Sequence, residues 1–167
     1  LLYEGVYGDV KNITVSLLGE HQLANAALAL AAVEMCARKG FPASETSVRA
    51  GLQNVRWEGR LEVLHTSPWV LLDGAHNPAG ISALCRSLKK DFCFRHLILI
   101  FGVLADKDYR KMLQKIVPLS RVIILVPLQT QRAASVAAVS QTIRSMGRIP
   151  VVSQSVHQAL ELGLSLA

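Results

Sequence analysis

The 167-residue sequence contains few aromatic residues and few cysteines, and each shortage narrows the class of protein. Aromatic residues make up 5% of the chain and hydrophobic residues 51%, which favours aliphatic helices packed on a buried sheet. Cys36, Cys85 and Cys93 are odd in number and include no Cys-x-x-Cys pair. This pattern argues against a disulfide framework and against a zinc site. We therefore expect buried free thiols in a reducing compartment.

Membrane and export signals are also missing. The most apolar stretch, 23–37, is mostly alanine and includes Asn25 and Glu34, so it is too short and too polar to span a bilayer. The first residues contain neither a basic region nor a cleavage site, so we expect that they do not form a signal peptide. Because the sequence lacks a starting Met and begins in a strand-like pattern, we expect an excised fragment.

The charge balance is basic, with a formal net charge of +6. A positive surface suits anionic partners such as nucleotides, polycarboxylates or nucleic acid, although it can also serve solubility alone. The sequence contains no basic run interleaved with aromatic residues, so nucleic acid is the least favoured of these partners.

Residues 1–58 predict a strand followed by two helices. Residues 12–18 alternate like a strand, and 21–39 have the apolar spacing of a helix with a stripe of aliphatic residues. A second helix is expected over 44–53, with Ser44 as its cap. The apolar stripe predicted for the first helix consists of Leu23, Ala26, Ala27, Leu30, Val33 and Ala37.

Residues 59–167 alternate between strand and helix patterns, and we place a domain boundary after residue 58, where the helical periodicity stops. Asn77 and Pro78 have the pattern of a helix cap and a first helical residue. The apolar strands are typical of a sheet buried on both faces, so the predicted fold class is α/β with a doubly wound, mostly parallel sheet. Strands are expected at 61–66, 69–73, 96–101, 122–126 and 150–152, and helices from Asn77 to about residue 92 and at 108–117, 133–146 and 155–166.

Asp73 and His76 are the first candidate site residues because they stand between a predicted strand and a predicted helix. Ligands of open α/β folds bind at the carboxyl ends of strands, and a helix start attracts phosphate. A carboxylate at Asp73 suits ribose hydroxyls, and His76 could donate to a developing anion. The structural alternative is that Asp73 and Asn77 satisfy turn and cap N–H groups while His76 is half-buried.

Arg60 and Asn25 are further candidates. A guanidinium at the domain boundary is suited to phosphate, although Arg60 could instead pair with Glu58 or Glu62 on the surface. Asn25, in the first turns of the alanine-rich helix, could read an adenine edge or merely cap the helix. Asp106 or Asp108 is expected to cap a helix, and Lys107 could meet an acidic substrate or remain solvated.

Four motifs occur together in the order found in one family. They are Gly-x-His-Gln-x-x-Asn-Ala at 19–26, Trp-x-Gly-Arg at 57–60, Asp-Gly-Ala-His-Asn-Pro at 73–78 and Asp-Lys-Asp at 106–108. With them, the chain resembles the folylpolyglutamate synthases and dihydrofolate synthases of the Mur ligase superfamily. The resemblance implies that 1–58 is the end of a central ATPase domain and that 59–167 is a Rossmann-like carboxy-terminal domain, which we expect to be truncated by its closing strand.

The resemblance also implies a function. Members of that family use ATP and Mg²⁺ to join L-glutamate to a folate or dihydropteroate through an acyl phosphate, in the cytoplasm and without nucleic acid or membrane partners. By the same resemblance, Asn25 would contact adenine, Arg60 the ATP phosphates and Asp73 the ribose, and His76 would act as the catalytic residue near the acyl phosphate.

Two features of the sequence differ from the family pattern and affect the function that the resemblance implies. Family members commonly have Pro where this chain has Glu58, and the chain contains no Gly-Lys-Ser/Thr phosphate loop. We therefore expect the magnesium ligands in a missing amino-terminal ATPase domain, and we expect this fragment to be inactive alone. The alternatives are a non-catalytic module that binds a nucleotide or anion, and a Mur-type ligase for another amino-acid acceptor.

Overall fold

The computed structural model describes residues 2–5 and 9–167, which divide into two compact units. Unit 1 takes the residues up to Leu64 together with Leu71–Gly74. Unit 2 takes His65–Val70 and Ala75–Ala167.

Unit 1 contains a short antiparallel strand pair and two helices. Strands β1 (Tyr3–Glu4) and β2 (Asp9–Val10) pair with each other, and helices α1 (His21–Arg38) and α2 (Glu45–Asn54) follow. The start of α2 is fixed as the sequence predicts, because the Ser44 hydroxyl accepts the N–H of Ser47 at 3.1 Å.

The strand predicted at 12–18 is wrong. Side-chain exposure still alternates along the segment, since Ile13 is buried and its neighbours are exposed. However, no strand forms over these residues. A strand needs a neighbouring backbone with which to pair. Here Ser16 instead donates its N–H to the carbonyl of Leu52 at 3.2 Å, and the Arg49 side chain donates to the carbonyl of Asn12 at 3.1 Å. The segment is therefore held by the second half of α2.

The apolar stripe predicted for α1 is only partly right. Ala26 and Leu30 are buried, but Leu23 is 40% exposed and Ala37 is exposed, while the polar Gln22 is 5% exposed. An alanine-rich helix is apolar on most sides, so its sequence does not mark which side is covered.

Unit 2 is built around a three-stranded parallel sheet. Strands β5 (Leu97–Phe101), β6 (Ser120–Leu125) and β7 (Val151–Val152) lie in that order, with Ile100 opposite Ile124 and Leu125 opposite Val152. The helices are α3 (Pro78–Asp91), α4 (Tyr109–Ile116), α5 (Val136–Arg144) and α6 (Val156–Ser165). A single 3₁₀ turn, Val117–Leu119, leads from α4 into β6.

Helices cover both faces of this sheet, which confirms the doubly wound arrangement. Ile123 and Leu125 pack in one core with residues of α3, α4 and α5. Ile124 and Val126 point to the other face and pack with Ala159 of α6. Successive side chains at 123–126 therefore enter opposite cores, which explains the uninterrupted apolar run at 122–126.

The strand that leads to Asp73 does not join this sheet. We expected a buried strand over 69–73, but β4 (Trp69–Leu72) pairs with β3 (Glu62–Thr66) in a separate two-stranded sheet. Trp69 and Leu72 are 50% and 48% exposed. Only Ser67 and Pro68 separate the two strands, and so short a connection favours pairing between neighbours in the chain. The ring of Trp69 meets that of Phe92 edge-on at 5.4 Å.

The thiols depart from expectation in their exposure. All three cysteines are free, but Cys36 and Cys93 are exposed and Cys85 alone is buried. Burial raises the pKa of the Cys85 thiol, with the nearby ammonium groups of Lys89 and Lys115 acting in the opposite direction. Within residues 2–5 and 9–167, no helix has both the length and the apolar character needed to cross a membrane.

Candidate functional site

Asn25 and Arg60, predicted separately from the sequence, line one cavity of unit 1. Its volume is about 460 Å³, which lies within the range of about 300–1,000 Å³ that small-molecule sites occupy. Apolar and aromatic side chains form most of the wall. The lining residues are Val15, Leu17, His21, Gln22, Asn25, Ala26, Ala29, Gly51, Leu52, Val55, Trp57 and Arg60.

Arg60 approaches an aromatic ring rather than a carboxylate. Its guanidinium carbon lies 5.8 Å from the centre of the Trp57 ring. Within the described part of the chain, Arg60 forms no ion pair with Glu58 or Glu62, so the surface-pair alternative is wrong. Glu62 accepts the N–H of Gly59 at 2.7 Å instead. The positive charge of Arg60 is therefore available to an anion.

Asn25 does not cap α1, contrary to the structural alternative. The cap position is Glu20, and no side chain completes it. The Asn25 side-chain Nδ2 donates to Oε1 of Gln22, one helical turn earlier, at 2.9 Å. Because Gln22 is buried, this hydrogen bond fixes the orientation of the Asn25 amide at the cavity wall.

His21 and Trp57 also line the cavity, and we gave neither of them a role from the sequence. His21 is the first residue of α1, and its Nδ1 atom is buried without a hydrogen-bond partner in the described structure. Both residues stand inside the motifs at 19–26 and 57–60. A His at the start of a helix and an exposed Trp both occur for many structural reasons. Their positions inside the two motifs were therefore the only sequence signal that could have identified His21 and Trp57 as cavity residues.

Asp73 is attached to the loop that carries Arg60, but it does not line the cavity. Its Oδ2 atom accepts the backbone N–H of Leu61 at 2.8 Å, and the N–H of Gly74 donates to the carbonyl of Gly59 at 2.7 Å. Leu61 has a left-handed φ of 48°, an uncommon conformation for a leucine that the surrounding contacts must hold. The carboxylate thus performs the structural role that we set against its ribose role.

His76 is exposed and belongs to unit 2, so it is not part of the cavity of unit 1. The neighbouring Asn77 caps α3, accepting the N–H of Gly80 on Oδ1 at 2.8 Å, and Pro78 opens the helix as predicted. The catalytic role of His76 stays a prediction.

The acidic residues at 106–108 have structural partners. Asp108 accepts the N–H of Lys111 at 3.2 Å and caps α4 as predicted. Asp106 contacts the ammonium of Lys107 at 3.2 Å and the guanidinium of Arg132 at 3.0 Å. The hydrogen bond from Lys107 holds the pKa of Asp106 below its usual value. Lys107 is thus the ion-pair partner of Asp106, and its contact with an acidic substrate stays a prediction.

Comparison with known proteins decides the family. Residues 59–167 match the family described as Mur ligase, glutamate ligase domain. The chain belongs to this family. Since the match covers more than half of the sequence, the ligase resemblance drawn from the four motifs is confirmed at the level of the family.

The relatives of this Mur ligase domain include folate enzymes. The chain is 39% identical over 84% of its length to a dihydrofolate synthase/folylpolyglutamate synthase of Mycobacterium tuberculosis, of which it covers 29%. It is 35% identical over 75% of its length to a folylpolyglutamate synthase of Lacticaseibacillus casei, again covering 29%. The chain therefore spans about three-tenths of the length of these relatives.

Solved structures agree with the sequence relatives. The M. tuberculosis folylpolyglutamate synthase complexed with ADP superposes with a TM-score of 0.89 at 34% identity, over 99% of this chain and 37% of that one. The fold of the Mur ligase piece described here is therefore that of the corresponding part of a folylpolyglutamate synthase.

Proposed function

We propose that this chain is the carboxy-terminal part of an ATP-dependent ligase that adds L-glutamate to a folate or to dihydropteroate. Residues 1–58 would then be the end of a central ATPase domain, and 59–167 the carboxy-terminal domain. The observation that carries the proposal is the shared cavity of Asn25 and Arg60. We further propose that the parent enzyme acts in the cytoplasm, where exposed thiols such as Cys36 and Cys93 stay reduced.

The cavity fits a nucleotide in its chemistry. The amide of Asn25 offers a donor and an acceptor to an adenine edge, and the Trp57 indole offers a face on which a base can stack. Arg60 supplies a fixed positive charge for the phosphates. These three groups have the character that one nucleotide requires, and all three line the same cavity.

Asp73 can keep its ribose role alongside its structural one. An ionised carboxylate has about four acceptor positions on its two oxygens and can meet several donors at once, and in Asp73 the N–H of Leu61 is one of these donors. Holding the residue that follows Arg60 and accepting ribose hydroxyls are therefore compatible. The proposed role for Asp73 is to link the nucleotide to the Arg60 loop.

In the proposed reaction the γ-phosphoryl group of ATP passes to the folate carboxylate, giving an acyl phosphate and ADP. The amine of glutamate then attacks the acyl carbon, the amide bond forms and inorganic phosphate leaves. His76 would donate a hydrogen bond to the acyl phosphate or the incoming glutamate. Among the described residues, no group of three His, Cys, Asp or Glu side chains could hold a metal ion. We assign the Mg²⁺ ligands and the phosphate-loop lysine to the amino-terminal part of the relatives, which this chain does not cover.

A chimera tests this proposal. This chain would replace the region of the M. tuberculosis relative that it matches, and ADP release would be followed with and without folate and L-glutamate. We expect turnover that needs both substrates, and none from either part alone. A folded chimera that shows no turnover, or turnover without folate, would contradict the folate assignment, whereas turnover with another acceptor would favour a different Mur-type ligase.

A nucleotide-binding module without catalysis is the second candidate, because the cavity of Asn25 and Arg60 has the size and chemistry of a small-molecule site whether or not a reaction follows. Calorimetry of this chain with ATP separates the two. If the chain supplies only part of the nucleotide site of a ligase, we expect a dissociation constant near or above ~1 mM. For a dedicated binding module we expect ~10 µM or tighter. Tight binding by the chain alone would count against the ligase proposal.

A further inference from the structure

Gly51 lies inside helix α2, where a glycine is unfavourable. The helix runs over Glu45–Asn54, and Gly51 is the seventh of its ten residues. Glycine loses more backbone freedom than any other residue when a helix forms, and only proline is worse in a helix interior. An alanine at this position would therefore give a more stable helix. The presence of glycine needs an explanation outside helix formation.

Neither the backbone nor the packing at Gly51 supplies that explanation. Gly51 is not among the glycines with a positive φ, so an alanine can adopt its backbone conformation without strain. A side-chain carbon built on Gly51 would meet no atom within 4 Å. By contrast, a carbon built on Gly102 would lie 2.8 Å from Cδ2 of Leu128, so close packing requires that glycine. The described chain thus leaves open space beside Gly51.

This open space belongs to the cavity that Asn25 and Arg60 line. Gly51 is one of the lining residues, together with Leu52 and Val55 at the end of the same helix. Helix α2 therefore presents bare backbone to the cavity at this point, next to two aliphatic side chains. A side chain at position 51 would take volume from the cavity instead of filling a gap in the core.

The wall of the cavity near Gly51 is apolar. The carbonyl of Leu52 accepts the N–H of Ser16 at 3.2 Å, which holds the segment that contains Val15 and Leu17 against α2. Val15 and Leu17 also line the cavity. An aliphatic wall beside bare backbone suits the flat face of a ring system, whereas phosphates need positive charge.

We propose that Gly51 determines the size of the base that the cavity admits, because its missing side chain leaves room for a two-ring purine to pack on the backbone of α2. This inference rests on the proposed nucleotide site. The face of the base contacts α2 and the aliphatic wall, its edge meets the amide of Asn25, and the phosphates meet Arg60. A pyrimidine has one ring and needs less of the space beside Gly51. A side chain at position 51 therefore reduces purine binding more than pyrimidine binding.

Substitution of Gly51 tests the proposal by separating stability from binding. NMR titrations of the chain with ATP and with CTP, followed at the side-chain amide of Asn25, give the two dissociation constants. We expect Gly51→Ala to raise the Tm by about 2–4 °C, since it removes the cost of a helical glycine. The same substitution should weaken ATP binding by about fivefold or more and CTP binding by less than about twofold.

A matched control adds bulk to the same helix outside the cavity. Gln53 is exposed on α2 and does not line the cavity, so Gln53→Leu should leave both dissociation constants unchanged. Gly51→Leu adds a side chain of the same size inside the cavity and should weaken ATP binding by about tenfold or more. The pair shows whether the position of the added side chain, not its apolar character, is responsible.

Three results would overturn the role of Gly51. Unchanged ATP binding in Gly51→Ala, while Arg60→Ala still weakens it, would show that position 51 does not limit a cavity that does hold a nucleotide. Equal losses of ATP and CTP binding would show that the side chain disturbs the site without selecting a base. A lower Tm for Gly51→Ala would show that the glycine has a structural role. If Arg60→Ala also leaves ATP binding unchanged, the proposed nucleotide site itself fails.

Discussion

The carboxylate of Asp73 accepts the backbone N–H of Leu61 at 2.8 Å, across twelve residues of sequence. This hydrogen bond joins the end of β4 to the residue that follows Arg60. Since Leu61 is 2% exposed and has a left-handed φ of 48°, its N–H needs a fixed acceptor. The position of the arginine loop in unit 1 thus depends on the structural role of Asp73 that the sequence analysis set against its ribose role.

Replacing Asp73 should therefore cost stability as well as any ligand contact. We expect Asp73→Ala to lower the free energy of unfolding by about 1–3 kcal/mol, because a part-buried N–H loses its acceptor. Asp73→Asn keeps an oxygen at the same place and should cost less. Urea denaturation followed by circular dichroism measures both values. Asp91→Asn, at the exposed end of α3, is the matched control, and an equal loss there would refute the role of the Leu61 contact.

The core of unit 2 should be far more sensitive to truncation than the apolar surface of α1. Leu113 is fully buried among residues of α4 and β6, so Leu113→Ala should cost about 2–5 kcal/mol through the cavity that it leaves. Leu28 is 71% exposed, and Leu28→Ala should change stability by less than about 0.5 kcal/mol. Thermal unfolding of the two variants gives the comparison. A large loss at Leu28 would mean that this face of α1 is covered in solution.

Chemical labelling of the folded chain should modify two of the three thiols. Cys36 and Cys93 are exposed, whereas Cys85 is buried and has a raised pKa because of that burial. Since the thiolate is the reactive form, iodoacetamide at neutral pH should modify Cys36 and Cys93 and leave Cys85 intact. Mass spectrometry of the intact chain counts the modified thiols, and full labelling should appear in denaturant. Rapid native labelling of Cys85 would contradict the packing of α3 on α4.

The stability that the Asp108 cap of α4 contributes should decrease at low pH. The hydrogen bond and the charge of Lys111 hold the pKa of the Asp108 carboxyl below its usual value. A lowered folded pKa gives stability that is complete above the unfolded value of about 3.9 and is lost as the pH falls through the folded value. The stability difference between the native chain and Asp108→Asn should therefore shrink below about pH 4. A difference that stays constant from pH 6 to pH 3 would exclude this contribution.

Local signals in the sequence account for most of unit 2. The caps Ser44, Asn77 and Asp108, followed by apolar periodicity, correctly predict where three helices begin, and the helical pattern over 155–166 correctly predicts α6. The apolar runs at β5 and β6 likewise predict a parallel sheet. These features depend on neighbours within one or two turns, so no knowledge of distant contacts is needed.

Long-range partners explain the errors. Residues 12–18 alternate like a strand, but the available partner is the end of α2, where Ser16 donates to Leu52. Trp69–Leu72 is apolar enough for a core strand but pairs with its chain neighbour β3. In the site, the motif signals identified Asn25 and Arg60 but not the Trp57 ring beside them, because a cavity is defined by side chains that only the fold brings together.

The central claim is that the cavity of Asn25 and Arg60 holds a nucleotide, and an NMR titration of the chain with ATP tests it most directly. The side-chain amide of Asn25 and the indole N–H of Trp57 should shift together, with a dissociation constant near or above ~1 mM. Arg60→Ala should weaken binding by about tenfold, corresponding to the loss of one charged contact of about 1.4 kcal/mol. Arg56→Ala, an exposed arginine that does not line the cavity, should leave binding unchanged. Shifts confined to residues outside the cavity, or an equal effect of the two substitutions, would contradict the account.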